Sequence, residues 1–248
     1  MKSAIEAAQT EAARVQAAIW AVPGIYIQCP EFPNDYTLTA ADRLLHVFCR
    51  HSKRTMYYAL NVTRRLLNLQ TYLLRDVAVG QSVLVPIDDE VFFDFDAFVF
   101  SAKSIFSGTI LEASKSLHDE VQPLFREMAS RAKRELLDPM LDVIRNAVVH
   151  LNNVGSGFGS TAMLTNAGDS WKVEIRTAFH TTDGRDVELI ALFLYLLGKT
   201  SGFVMEALGL LLLHVFLKFG KPTRNVGYVS GGVEVRLSDF RIPGMNFA

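Results

Sequence analysis

The sequence predicts a mainly α-helical bundle with a small C-terminal β element, on three observations. Apolar residues recur at helical spacing through most of the first 153 residues. Short Pro, Gly and Asp punctuation separates those runs, as in antiparallel helices joined by short loops. Alternating segments with turn signals gather in residues 161–180 and 226–242. The organisation expected is a helical bundle over residues 1–153. Residues 154–248 then add a helix pair and short strands on the same core.

The chain has 248 residues, 50% hydrophobic and 21% charged, enough to bury a large core. Its net charge of −1 does not fit a protein that coats duplex nucleic acid. Any nucleic-acid contact must come from a local basic patch. Cys29 and Cys49 form no CxxC pair and read as ordinary reduced thiols, which places the protein in the cytoplasm.

The N-terminal stretch MKSAIEAAQTEAARVQAAIW is amphipathic and has no signal-peptide core, so a helix is expected over 2–21, ending at Pro23-Gly24. Pro23, Pro30 and Pro33 mark an irregular connection. Thr39 then caps a long helix that reaches about residue 76, with Asp42 in the acidic place of a capping box. Its apolar positions include Leu44, Leu45, Phe48, Met56, Leu60, Leu66, Leu67 and Leu73. Gly80 and Pro86 bracket a short extended stretch, SVLV. Residues 88–117 give the next helix, capped by Asp88 or Asp89 and aromatic on several sides. Residues 119–137 give another. Asp138 is then read as an N-cap and Pro139 as the first residue of a new helix, PMLDVIRNAVVHLNN.

Residues 154–160, VGSGFGS, lack the GxxxxGK[ST] phosphate loop. Beyond them AMLT, the turn Asn166-Ala167-Gly168-Asp169 and WKVEIRTAFH form a β-hairpin. Residues 189–217 are very apolar, but Lys199 and Glu206 fall in the middle and Gly198 and Gly202 flank a turn. Two buried helices, or one long helix with a break, are expected there rather than a membrane span. A second strand pair surrounds Gly231-Gly232.

The residues best suited to chemistry are Arg145, Asn146 and His150. Asn146 and His150 are an i, i+4 pair and share a helix face. Arg145 is offset from His150 by roughly 140°, but its long side chain reaches that face. A histidine titrating near neutrality moves a proton to or from a ribose hydroxyl. An arginine grips a phosphate and stabilises developing charge. The plain alternative is that Arg145 and His150 are a solvated face with a salt bridge to Asp142 or a neighbouring helix.

The run Arg145-Asn146-Ala147-Val148-Val149-His150 resembles the ribonuclease motif of the HEPN family, in which an arginine, a polar residue and a histidine stand at this spacing. The aromatic, aspartate-bearing helix VFFDFDAFVFSAKSIFSGTI also looks like the one that precedes the motif in some members. The resemblance covers roughly residues 40–153 and stops before residue 160. It implies a helical bundle that dimerises so that two motifs face each other. It further implies metal-independent RNA cleavage, with no cofactor and no metal site, and a setting in toxin–antitoxin or phage defence with an antitoxin or sensor partner. The alternatives are a module that binds RNA or a nucleotide without cutting it, a dimerising scaffold for a partner, and a membrane-associated protein using residues 189–217.

Asp96 stands among Phe92, Phe93, Phe95, Phe98 and Phe100 and needs a partner if buried; Arg145 is the natural one. Otherwise it reaches solvent or caps a local group. Arg43, Arg50, His51, Lys53, Arg54, Arg64, Arg65 and Arg75 load the second helix with positive charge. Arg50, Lys53 and Arg54 are the densest part and are expected to guide an RNA backbone, or else to form a solvated face. His214, on an apolar helix, is read as a satisfied core histidine.

Overall fold

The computed structural model describes residues 2–33, 40–71, 77–86, 89–106, 114–140, 161–169, 171–175, 179–180, 186–187, 189–222, 227–230 and 232–245, and over these the chain is mainly helical with small antiparallel β elements. The first helix, α1 (Lys2–Tyr26), runs past the expected stop, with Pro23 inside it. A proline this close to a helix end removes one hydrogen bond and leaves its carbonyl usable. That carbonyl accepts from the Ile27 N–H at 3.3 Å. Gly24 is there for packing, since a Cβ would sit 2.5 Å from the Tyr228 ring.

The second helix, α2 (Ala40–Thr71), buries Leu44, Leu45, Phe48, Met56, Ala59, Val62 and Leu66 along one face. The expected cap, Thr39, and the stretch 72–76 lie outside the described residues. Strand β1 (Ser82–Pro86) follows, then α3 (Asp89–Ile105). Of the helix expected over 88–117, Asp89–Ile105 is helical, the chain turns at Phe106, residues 107–113 lie outside the described residues, and Ser114–Ser116 form one 3-10 turn. Ser107, Gly108 and Thr109, all poor helix formers, follow the turn in sequence.

Helix α4 (Val121–Ala132) passes directly into a π turn, Lys133–Leu137, and residues 138–140 remain helical. The expected restart at Asp138 is therefore corrected. Asp138 has helical dihedrals, and its N–H bonds to the Lys133 carbonyl, five residues back. Pro139 has no N–H for the Glu135 carbonyl, and its ring would press on that group in a regular helix. The wider π turn accommodates both facts.

Strands β2 (Thr161–Asn166) and β3 (Trp171–Ile175) form the expected hairpin, with Gly168 at φ +85° in the turn. Its other edge pairs with β1, Ser82 opposite Thr165 and Pro86 opposite Thr161. Two short strands, β4 (Phe179–His180) and β5 (Asp186–Val187), pair with each other. Helix α5 (Leu189–Phe219) is a single unbroken helix of 31 residues, and the expected break at Gly198–Gly202 is corrected. By length and composition it is long and apolar enough to cross a membrane; its most apolar stretch is 78% buried inside the fold. Strands β6 (Gly227–Ser230) and β7 (Val233–Arg236) make the last hairpin. Among the described residues the β structure is thus three separate sheets, and the first recruits a strand from the N-terminal half.

Helix α2 packs between α1 and α3, and α5 packs against α1 and α4. Edge-to-face rings tie these together: Phe98 to Phe193 at 5.5 Å and Phe106 to Phe203 at 6.0 Å. The two charges in the middle of α5 are held at its surface contacts. Glu206 pairs with Arg131 of α4, and Lys199 with Glu135 of the π turn at 2.7 Å.

Candidate functional site

Arg145, Asn146, His150 and Asp142 lie outside the described residues, as does the glycine-rich segment 154–160. What is described is the support on either side. The π turn delivers Asp138, Pro139 and Met140, with Met140 buried. It is anchored to α5 by Lys199 on the Glu135 carboxylate and by the Tyr195 hydroxyl, which donates to the Glu135 carbonyl at 3.3 Å.

Asp96 sits on α3, half-buried, between the exposed rings of Phe93 and Phe100. Burial pushes its carboxyl above the usual aspartate range. Among the described residues it has no partner. The aspartate that does engage an arginine is Asp94, which accepts from Arg65 Nε at 2.7 Å and from Asn61 Nδ2 at 3.5 Å. Glu90 takes the other side of the same guanidinium. Two positions apart means about 200° around the helix, so Asp94 and Asp96 face opposite sides of α3. Sequence reasoning missed the Arg65–Asp94 pair because it joins residues of two different helices.

The basic residues of α2 divide into two groups. Lys53 is half-buried, its ammonium 3.1 Å from the centre of the Trp20 ring on α1. Arg65 is neutralised by α3. Arg43, Arg50, Arg54 and Arg64 are exposed and have no ion-pair partner among the described residues. Arg54 lies 5.7 Å over the Tyr58 ring. Arg75 falls outside the described residues. The structure thus brings Arg50 and Arg54 to one surface and sets Lys53 at its edge. The only carboxylate on α2 is Asp42, which is buried and accepts from the Tyr26 hydroxyl at 2.5 Å.

His214 is buried on α5, as expected, but only half satisfied. Its Nδ1 accepts from the His118 backbone N–H at 2.9 Å, and among the described residues Nε2 has no partner. The two thiols are poor nucleophiles, since burial pushes Cys29 up to about 11 and Cys49 to about 12. Cys49, with Tyr26, Phe32, Asp42 and His46, lines an apolar pocket of about 270 Å³ between α1 and α2.

The chain matches no protein-family model, no curated protein and no solved structure.

Proposed function

We propose that the protein is a metal-independent endoribonuclease of HEPN type, working as a cytoplasmic homodimer in a toxin or phage-defence setting. The observation that carries this reading is Arg145-Asn146 with His150 four residues beyond, in a chain that is mainly helical where it is described. Arg145 grips the scissile phosphate and stabilises the charge that builds on it. His150 acts as general acid or base. Asn146 positions one or the other, and Asp96 braces Arg145. The ribose 2′-hydroxyl attacks the adjacent phosphorus, the bond to the 5′ oxygen breaks, and the proton taken from the 2′ oxygen is matched by one given to the leaving oxygen. The products are a cyclic phosphate and a free 5′-hydroxyl.

Two features support the reading. Asp96 is half-buried without a partner among the described residues, which leaves its carboxylate free to receive an arginine. The exposed arginines of α2 offer a polyanion a cationic surface despite the chain's net charge of −1. That surface would equally serve a module that holds RNA without cutting it. An antitoxin or sensor that occupies the same surface completes the proposal.

The test is incubation of the purified protein with mixed RNAs in excess EDTA, followed by end-group analysis of the fragments. Fragments ending in 2′,3′-cyclic phosphate are expected. Intact RNA in the presence of folded protein would sink the nuclease reading and leave the binding module.

A further inference from the structure

We infer that the outward face of α2 is a track for single-stranded RNA, with phosphates along a central row of arginines and bases stacked on flanking aromatic rings. The choice of RNA as the polyanion rests on the nuclease reading; the track itself rests on the geometry of α1, α2 and α3.

Arg43, Arg50, Arg54, Tyr57 and Arg64 fall within about 40° of one line along the helix, at 100° per residue. All five are exposed. At 1.5 Å per residue the row spans about 32 Å, room for on the order of five to ten nucleotides. It contains no carboxylate. Among the described residues the acidic groups nearest in sequence or contact are engaged: Asp42 is buried under Tyr26, and Asp94 and Glu90 are held by Arg65 at the side of the row. Four arginines with no ion-pair partner among the described residues cost the fold self-repulsion, which a bound polyanion removes.

The aromatic residues complete the surface. Tyr57 stands in the row itself, 55% exposed, between Arg54 and Arg64. On the α1 side Trp20 is 53% exposed beneath Lys53. Rings beside a cationic row are the arrangement by which single strands are held without sequence choice. A membrane-binding surface is built the other way, with apolar residues at the centre and cations at the rim. Here the cations are central.

The test measures fluorescence anisotropy of a labelled, unstructured 12-nucleotide RNA against the full chain carrying His150→Ala, so that cleavage does not interfere. Arg50→Gln with Arg54→Gln is expected to weaken binding at least tenfold and to lower the salt slope by about 1.4, the value for two lost single-strand phosphate contacts. Tyr57→Ala is expected to weaken binding at least fivefold with the salt slope unchanged. All three positions are exposed, so matching thermal melts verify the fold. Equal affinity of the variants and the parent overturns the track, as does a parent that binds anionic vesicles of phosphatidylcholine and phosphatidylserine but not the RNA. Binding with these losses, in a wild type that never cleaves, upholds the track and removes the nuclease reading alone.

Discussion

The Tyr195 hydroxyl donates to the backbone carbonyl of Glu135 at 3.3 Å, and Pro139 explains why that carbonyl is open. Proline stands four residues on from Glu135 and has no N–H to offer it. The carboxylate of the same Glu135 takes Lys199 at 2.7 Å, a contact that holds it below the usual glutamate range. Two residues one turn apart on α5 thus fix the π turn from which residues 138–140 emerge.

Tyr195→Phe is expected to cost about 0.5–1.5 kcal/mol, the net worth of one hydrogen bond. Pro139→Ala restores the backbone donor, so the Tyr195→Phe penalty should shrink in that background. A double-mutant cycle by urea denaturation measures the coupling. Strictly additive penalties would show that Pro139 and Tyr195 do not share the Glu135 carbonyl.

The glycines of α5 separate by what surrounds them. A Cβ at Gly209 would meet the Arg241 carbonyl at 2.5 Å, because the C-terminal tail crosses the helix there. Gly198 and Gly202 face open space. Gly209→Ala should destabilise by about 1–3 kcal/mol through overpacking. Gly198→Ala and Gly202→Ala should stabilise by up to about 1 kcal/mol each through helix propensity. Thermal melts that rank the three alike would contradict this placement of the tail.

Asp96 gives a signed test of its role. Its carboxyl is raised by burial, so the fold disfavours its ionised form above the unfolded pKa, and that penalty fades as pH falls through the carboxylate range. If burial alone governs it, Asp96→Asn raises Tm at pH 7 and leaves RNA cleavage unchanged. If it braces Arg145, the same change lowers cleavage at least tenfold. The nuclease proposal expects the second outcome, read from kcat against Tm in one variant.

His214 is held below its ordinary pKa by burial first and by Lys218 and His118 after it, with Asp42 pulling the other way. The unfolded chain protonates this ring near about pH 6.5. Below that point the unfolded state binds more protons, so stability falls with pH until the lowered folded value is reached. Melts from pH 7.5 to 5 should show this slope, and His214→Gln should flatten it. An unchanged slope in the variant would assign the pH dependence elsewhere.

The helices and hairpins were legible because their signals are local. Asn166-Ala167-Gly168-Asp169 announces a turn, and Gly168 adopts the positive φ that the turn needs. The errors came where tertiary contacts overrule local signals. Pro23 and Pro139 read as boundaries, yet one sits in a last turn and the other behind a π turn. Gly198 and Gly202 read as a break, yet a helix packed into the core along most of its length keeps its hydrogen bonds through them. The pairing of β1 with β2 joins residues about 80 apart, beyond any local pattern. The arginines of α2 were visible as residues, but which were free depended on Trp20 and Asp94 in other helices. For Arg145, Asn146 and His150 the residue types indicate the chemistry, and the geometry lies outside the described residues.

The most direct measurement compares RNA cleavage in EDTA by the wild type, Arg145→Ala and His150→Ala, each shown to be folded by its melt. Cleavage by the wild type that drops at least a thousandfold in both variants is the expected result. Wild-type cleavage that persists undiminished in either variant would contradict the assignment of the site to these residues.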